Sequence, residues 1–250
     1  MKEFTADHLQ VKVFDSEQSM GNAAARFVTV QLARTIGEKG KANLILATGT
    51  SQFSFLDALK REELDWSCIT VFHLDEYLGL PISHPASFRK YLKERILDEV
   101  NPAAVHLING DAQDSPEEVA RYEALLKSHP VDVACIGIGE NGHIAFNDPP
   151  VADFQDPRWV KVVELDEACR RQQLGEGWFP DMASVPTHAM SLTIPAIMAS
   201  KVISCVVPGS RKSEAVRNTL YGAVETSCPA SILRRHPQCT LFLDAESYPV

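Results

Sequence analysis

No apolar stretch in this 250-residue chain approaches the roughly 20 residues that a membrane-spanning helix needs. The opening residues, MKEFTADHLQVKVFD, have no apolar core of the kind a secretory signal peptide carries. These two absences predict a cytoplasmic protein with no membrane partner. Paired cysteines are missing as well. Cys68, Cys135, Cys169, Cys205, Cys228 and Cys239 are dispersed with no C-x-x-C spacing. That lacks the usual zinc-thiolate signature and, in a reducing compartment, predicts free thiols. Basic residues are in deficit: 24 Lys and Arg face 33 Asp and Glu, a formal net charge of -9. Such a balance argues against a nucleic-acid partner, which needs a basic patch. It leaves room for a locally positive pocket that holds a small anion. Internal repeats, low-complexity tracts and linkers are also lacking, so residues 1–250 read as a single domain.

What the chain does have is an alternation of strand-like and helix-like segments. LQVKVF (9–14), NLILAT (43–48), CITVFHLDE (68–76), VHLING (105–110), VDVACIGIG (131–139), WVKVVEL (159–165), KVISCVVPG (201–209) and CTLFLD (239–244) are short and apolar. SLTIPAIMAS (191–200) reads as a strand or loop running into a short helix. Short all-apolar runs suit strands buried on both faces. Between them, Ser16 caps a long helical pattern ending near Gly37–Gly40, and residues 87–100 and 210–222 have helical spacing. Ser115-Pro116-Glu117-Glu118 combines a cap, a proline and first-turn acids, which start a helix. The alternation predicts an α/β fold, a Rossmann-like open, mostly parallel sheet with helices on both faces. Ligands of such sheets bind beyond the carboxyl ends of the strands. The informative loops therefore follow Thr48, Leu74, Gly137 and Val207.

Two of these loops suit an anion. ATGTSQ (47–52) sets Gly49 among Thr48, Thr50 and Ser51, where backbone N–H groups and hydroxyls can cradle a phosphate; an ordinary capped turn is the alternative. In VVPGSRKSEAV (206–216), Ser210 opens a helix and Arg211 and Lys212 follow. Cations in a first helical turn oppose the helix dipole, so they need another reason to be there. The other two loops suit proton transfer. Asp75 and Glu76 end a strand-like run, and because neighbouring strand residues face opposite ways, one of them enters a given site. A partly desolvated carboxylate can serve as a general base; a cap on the next turn is the competing use. GIGENGHIAFNDPP (137–150) matches the dinucleotide fingerprint G-x-G-x-x-G, but Pro149 and Pro150 leave no room for the long helix that fingerprint opens. It offers Asn141, His143 and Asp148 instead, a titrating imidazole with an amide and a carboxylate to orient it. His73, Asp75, His84 and His143 could in principle meet around zinc, yet no H-x-H or H-E-x-x-H spacing is present, so no metal is expected.

Taken together, LDEYLGL with HPASF, then GIGENGHIAFNDP, PGSRK and CPASILRRHP, resemble the glucosamine-6-phosphate deaminase/isomerase family, in that order from about residue 44 to 244. The resemblance implies conversion of glucosamine 6-phosphate and water to fructose 6-phosphate and ammonia, with no cofactor. It implies Asp75 as the base moving a proton between C2 and C1, and His143 as the group that opens the ring. Asn141 and Asp148 would flank that histidine. Thr48, Gly49, Thr50, Ser51, Ser210 and Lys212 would bind the phosphate, with Glu76, Arg170 and Arg171 as further substrate-binding candidates.

Departures from the family pattern are visible. Asp148 stands where glutamate is usual, Gly49-Thr50-Ser51-Gln52 replaces a loop that usually carries proline, and Gln173 falls where a phosphate-binding arginine is expected. These leave another hexosamine 6-phosphate, such as galactosamine 6-phosphate, as an alternative substrate. The related 6-phosphogluconolactonases share the fold but usually carry Asp-Glu-Arg where this chain has Asp75-Glu76-Tyr77. A non-catalytic sugar-phosphate sensor is a third reading, against which the first 15 residues read as a strand and not as a DNA-binding module. The expected partner is a small phosphorylated amino sugar, and assembly into a homo-oligomer is left open.

Overall fold

The computed structural model describes residues 1–249. Its strands are β1 (Lys2–Ala6), β2 (Leu9–Phe14), β3 (Ala42–Leu46), β4 (Ile69–His73), β5 (Asp75–Tyr77), β6 (Ala104–His106), β7 (Val133–Ile136), β8 (Val160–Glu164), β9 (His188–Leu192), β10 (Val202–Val207) and β11 (Cys239–Asp244). The helices are α1 (Glu17–Lys39), α2 (Phe53–Leu59), α3 (Phe88–Leu92), α4 (Asp98–Val100), α5 (Ser115–Ser128), α6 (Glu167–Gly175), α7 (Ile194–Met198) and α8 (Ser213–Tyr221). An 8-stranded sheet runs in the order β1-β2-β11-β10-β7-β3-β4-β6. All its pairings are parallel except the edge pair β1–β2.

The apolar strands are buried on both faces, as their composition requires. Leu44 and Leu46 of β3 pack with Met20, Val28 and Leu32 of α1 and Phe55 and Leu56 of α2. Between them Ile45 points the other way, into a core with Tyr122 and Leu126 of α5, Ile197 of α7 and Val216 and Leu220 of α8. The period of two along a strand thus divides one sheet between two cores. Ser16 caps α1, accepting from Ser19 N at 3.2 Å. The cap of α5 is Asp114, one residue before the expected Ser115, and it accepts from Glu117 N at 2.9 Å.

One expected strand is two. Residues 68–76 break at Leu74, whose carbonyl accepts from Leu192 N at 2.8 Å. Beyond it β5 pairs antiparallel with β9, and β9 with β8, in a second 3-stranded sheet. The break turns the chain away from the main sheet at the residue before Asp75. Among the described residues, no helix is long and apolar enough to cross a membrane, and all six cysteines are free thiols.

Candidate active site

Strands β10, β7, β3 and β4 are neighbours in the sheet, so the four informative loops converge at one edge. After β3 the chain moves outward to β4, whereas β7 lies on the other side of β3. Such a reversal opens a crevice at the carboxyl ends. Here it holds a cavity of about 460 Å³. Ala47–Ser51, Leu74 and Asp75, Gly137–Gly139 with His143, and Pro208–Lys212 form its walls.

Asp75 and Glu76 divide the two uses that the sequence allowed. Asp75 faces the cavity. Burial, and then the neighbouring Glu76 charge, push its carboxyl well above the usual range, so it holds a proton more tightly than a solvated aspartate. Glu76 is turned into the protein and does not line the cavity. It accepts from Ser87 Oγ (2.8 Å), Arg89 N (2.9 Å), Tyr77 N (3.0 Å), Phe88 N (3.1 Å) and Arg89 Nε (3.2 Å). It therefore caps the start of α3 and stands outside the cavity lining. Burial raises its carboxyl too, opposed by those hydrogen bonds.

His143 rests on a glycine. A Cβ at Gly139 would stand 2.1 Å from the imidazole Cε1, so no other residue leaves the ring its place. Gly142 has φ +86, and a Cβ there would come within 2.8 Å of Cys228 Sγ. Gly139 thus makes room for the histidine and Gly142 for Cys228. Asn141 orients the turn by accepting from His143 N at 3.1 Å, while its Nδ2 donates to Asp148 Oδ1 at 2.8 Å. The same oxygen lies 2.8 Å from His143 Nδ1, off the line of an ideal hydrogen bond. Asp148 is fully buried behind the ring. Burial alone would raise its carboxyl, but His143, Asn141 and the Cys169 thiol together hold it below the ordinary aspartate value. An ionised Asp148 thus faces Nδ1 and leaves Nε2 as the imidazole nitrogen open to a ligand.

The two anion-suited loops share one backbone design. Gly49 (φ 97) follows β3 and Gly209 (φ 87) follows β10; each leads into a single tight helical turn and then a helix. Positive φ at these entries favours glycine. Gln52 N donates to Gly49 O and Lys212 N to Gly209 O, both at 3.1 Å. Tyr91 Oη pins the first loop through Gly49 O at 2.8 Å, and the Asp244 carboxylate holds Gly209 N at 3.1 Å. Thr48, Gly49, Thr50, Ser51, Ser210 and Lys212 all line the cavity. Lys212 is largely buried, and burial lowers its ammonium from the usual lysine value, countered by Glu176 and Glu140.

Helix α6 supplies a wall that composition did not point to. Gln172, Gln173 and Glu176 line the cavity. Gln172 Oε1 accepts from Glu140 N at 3.0 Å, tying α6 to the histidine loop. Arg170 and Arg171 do not reach the site. Arg170 Nη2 donates to the carbonyls of Met182 (2.8 Å) and Val185 (2.9 Å), and Arg171 pairs with Glu167 at 2.5 Å on the exposed side. Cys169 and Gln173, one turn apart, are the buried face of this helix, so positions 170 and 171 fall off it. Glu17, Arg211 and Glu246 complete the rim.

The histidines considered for zinc are dispersed. His73 Nε2 accepts from Ile108 N at 2.7 Å, and burial lowers its imidazole to about 3. His84 Nδ1 accepts from Ala86 N at 3.1 Å. Ligand atoms of His143, Asp148 and Cys169 do lie within 4.8 Å of one another. With only three donors, one of them the His143 ring that faces the cavity and one the Asp148 oxygen that accepts from Asn141, the set is read as the backing of the histidine.

Comparison with known proteins follows the same lines. Residues 15–242 match the model of a family described as glucosamine-6-phosphate isomerases/6-phosphogluconolactonase. The chain is 35% identical over 239 residues to a glucosamine-6-phosphate deaminase of Bacillus cytotoxicus, covering 96% of this chain and 88% of that one. It is 38% identical over 216 residues to one from Bacillus thuringiensis, covering 86% and 80%. A solved monomeric glucosamine-6-phosphate deaminase superposes with a TM-score of 0.86 at 35% identity, over 95% of this chain and 98% of the other. A 6-phosphogluconolactonase of Shewanella baltica gives 0.78 at 19% identity, over 94% and 97%, a likeness of fold.

Proposed function

Because the chain belongs to the glucosamine-6-phosphate isomerase/6-phosphogluconolactonase family, we propose that it is an enzyme of the deaminase branch, converting glucosamine 6-phosphate and water to fructose 6-phosphate and ammonia. One observation carries this reading: a carboxylate whose proton affinity burial raises, Asp75, and an imidazole backed by a carboxylate, His143–Asp148, face one cavity that also presents Lys212 and two glycine-led helix entries. Identity of 35% and 38% to proteins named as deaminases supports that branch over the lactonase branch, to which the likeness is of fold alone.

The chemistry divides between the walls. The two glycine-led loops and Lys212 fix the phosphate, and that remote contact orients C1 and C2 over Asp75. His143 Nε2 passes the proton of the anomeric hydroxyl to the ring oxygen as the C1–O5 bond breaks. Asp148 steadies the imidazolium formed between the two transfers. Asp75 then takes the proton from C2 and returns it to C1, while the C1 carbonyl oxygen gains a proton and the amine nitrogen gives one up, so the C1=O double bond becomes a C2=N imine beside a C1 hydroxyl. Water adds at C2 and the nitrogen leaves as ammonia, so atoms and charge balance. Asn141 cannot carry a proton; its role is to orient. A similar deaminase of known structure is monomeric, which supports a site complete within one chain. Action in the cytoplasm is part of this reading.

The test is ammonia release from a panel of hexosamine 6-phosphates beside hydrolysis of 6-phosphogluconolactone. Ammonia from glucosamine 6-phosphate, with little from the galactosamine epimer, is the expected result. Lactone hydrolysis without ammonia release would transfer the chain to the other branch.

A further inference from the structure

Two cations, Arg211 and Lys212, line the cavity, against four carboxylates, Glu17, Asp75, Glu176 and Glu246. A phosphate monoester brings about -1.5 to -2 charges near neutral pH. Lys212 offers one positive charge, on an ammonium that burial weakens. The dianion is therefore under-compensated unless a second cation reaches it. Arg211 is adjacent in the same loop. Its Nε lies 3.4 Å from Glu140 Oε1, a loose ion pair with the arginine side chain 60% exposed. Its Nη1 reaches within 3.8 Å of the point where a Cβ on Gly175 would stand, so the guanidinium spans from the β10 loop to the end of α6. A cation at the entry of a helix works against the dipole and gains nothing for α8 itself.

We propose that Arg211 is the second cationic anchor of the substrate phosphate, exchanging the Glu140 carboxylate for phosphate oxygens when the sugar phosphate enters. This rests on the sugar-phosphate reading of the cavity. The exchange is favourable for two reasons. A guanidinium can meet phosphate through two parallel hydrogen bonds, stronger than a single loose contact to a carboxylate. The contact given up is weak: Glu140 Oε1, 3.4 Å from Arg211 Nε, is buried and accepts no hydrogen bond. Arg211 also bridges from its own loop to the histidine loop through Glu140, with its guanidinium beside the end of α6. Substrate would thus be held by a residue already spanning the mouth.

Calorimetric titration with inorganic phosphate, run beside steady-state kinetics on glucosamine 6-phosphate, tests the idea. Arg211→Ala should weaken phosphate binding and raise KM together by about tenfold or more, with kcat within about threefold, the scale of a lost charge-assisted contact. Arg211→Lys should recover part of the loss, since a point charge replaces a fork. Glu140→Gln should bind phosphate as tightly as the native chain or more tightly, because it frees the arginine. Unchanged phosphate affinity in Arg211→Ala overturns the proposal. So does a Glu140→Gln variant as impaired as Arg211→Ala, since that is the signature of a purely structural ion pair. Native protein that does not bind phosphate at all counts against it equally. If phosphate binding depends on Arg211 but no ammonia is released, the anchor stands and the deaminase reading fails. Ammonia release with Arg211 dispensable is the reverse.

Discussion

The wall we assign to proton transfer and the wall we assign to the anion are built on opposite principles. Around Asp75 and His143 the side chains are buried and held by packed neighbours: burial and then Glu76 raise the carboxyl at 75, and the imidazole lies against a carboxylate at 148 held below its ordinary value. Around Gly49 and Gly209 the backbone supplies the shape, twice over, and the side chains are a separate choice. The fourth residue of one loop is Gln52, whose Nε2 reaches across to Val206 O at 3.3 Å; the fourth residue of the other is Lys212, which faces the cavity. The same turn thus makes a brace in one place and a charge in the other. From this it follows that the first wall should govern kcat and the second KM.

Asp75→Asn makes the largest break. Removing the base should lower kcat by at least ~10³-fold, within the range that positioned acid–base groups supply, while substrate affinity stays within about tenfold. Stopped turnover with intact binding of a non-reacting sugar phosphate is the expected pattern; an unaltered kcat would remove Asp75 from the mechanism. Asp148→Asn comes next. The amide cannot stabilise an imidazolium at His143, so kcat should fall on the order of 10²-fold with KM little changed. An equal fall in both kcat and affinity would show that Asp148 only holds the loop. Lys212→Ala should act on the other quantity, raising KM ~10–100-fold with a modest change in kcat, the scale of a lost charge-assisted hydrogen bond. If instead it lowers kcat alone, the division between the walls is wrong.

Much of this was legible before any coordinates. Short all-apolar runs separated by helical patterns specify strands buried on both faces, and the sheet order brings the loops after Thr48, Leu74, Gly137 and Val207 together as expected. Pro149 and Pro150 were enough to set aside the dinucleotide fingerprint. What escaped notice depends on contacts between distant segments. The break at Leu74 is invisible in a run as apolar as ITVFHL, because its cause is a hydrogen bond from Leu192. That Asp75 and not Glu76 enters the site follows from strand alternation only in outline; the choice is made by five donors converging on Glu76. Arg170 and Arg171 were candidates because the family resemblance expects an arginine in this segment, although helical spacing from Cys169 and Gln173 already carried the signal that they lie off its buried face. Gln172 and Glu176, the latter just past the end of that helix, are the polar pair this spacing would have found.

The smallest predicted effect is on stability, and it sharpens the comparison because it comes from the same substitution as the largest. The folded-state pKa of Asp75 is raised, so between its unfolded value near 3.8 and its higher folded value the native state holds a proton that the unfolded state has lost. Stability then falls as pH rises through that window, the opposite of a salt-bridged aspartate, and at lower pH the group costs nothing. Asparagine resembles the protonated acid and never ionises. Asp75→Asn should therefore melt with the native chain near pH 3.5 and above it at pH 7, by a few degrees for a chain of this size. Lys212→Ala provides the parallel case. Its ammonium is held below the usual value by burial, so the native chain carries a penalty below that value and the alanine variant relieves it. Thermal melts of both variants between pH 3.5 and 8 check this. A Tm difference for Asp75→Asn that does not grow with pH would mean that the carboxyl is solvated, and with it would go the reason for calling it a base tuned by burial.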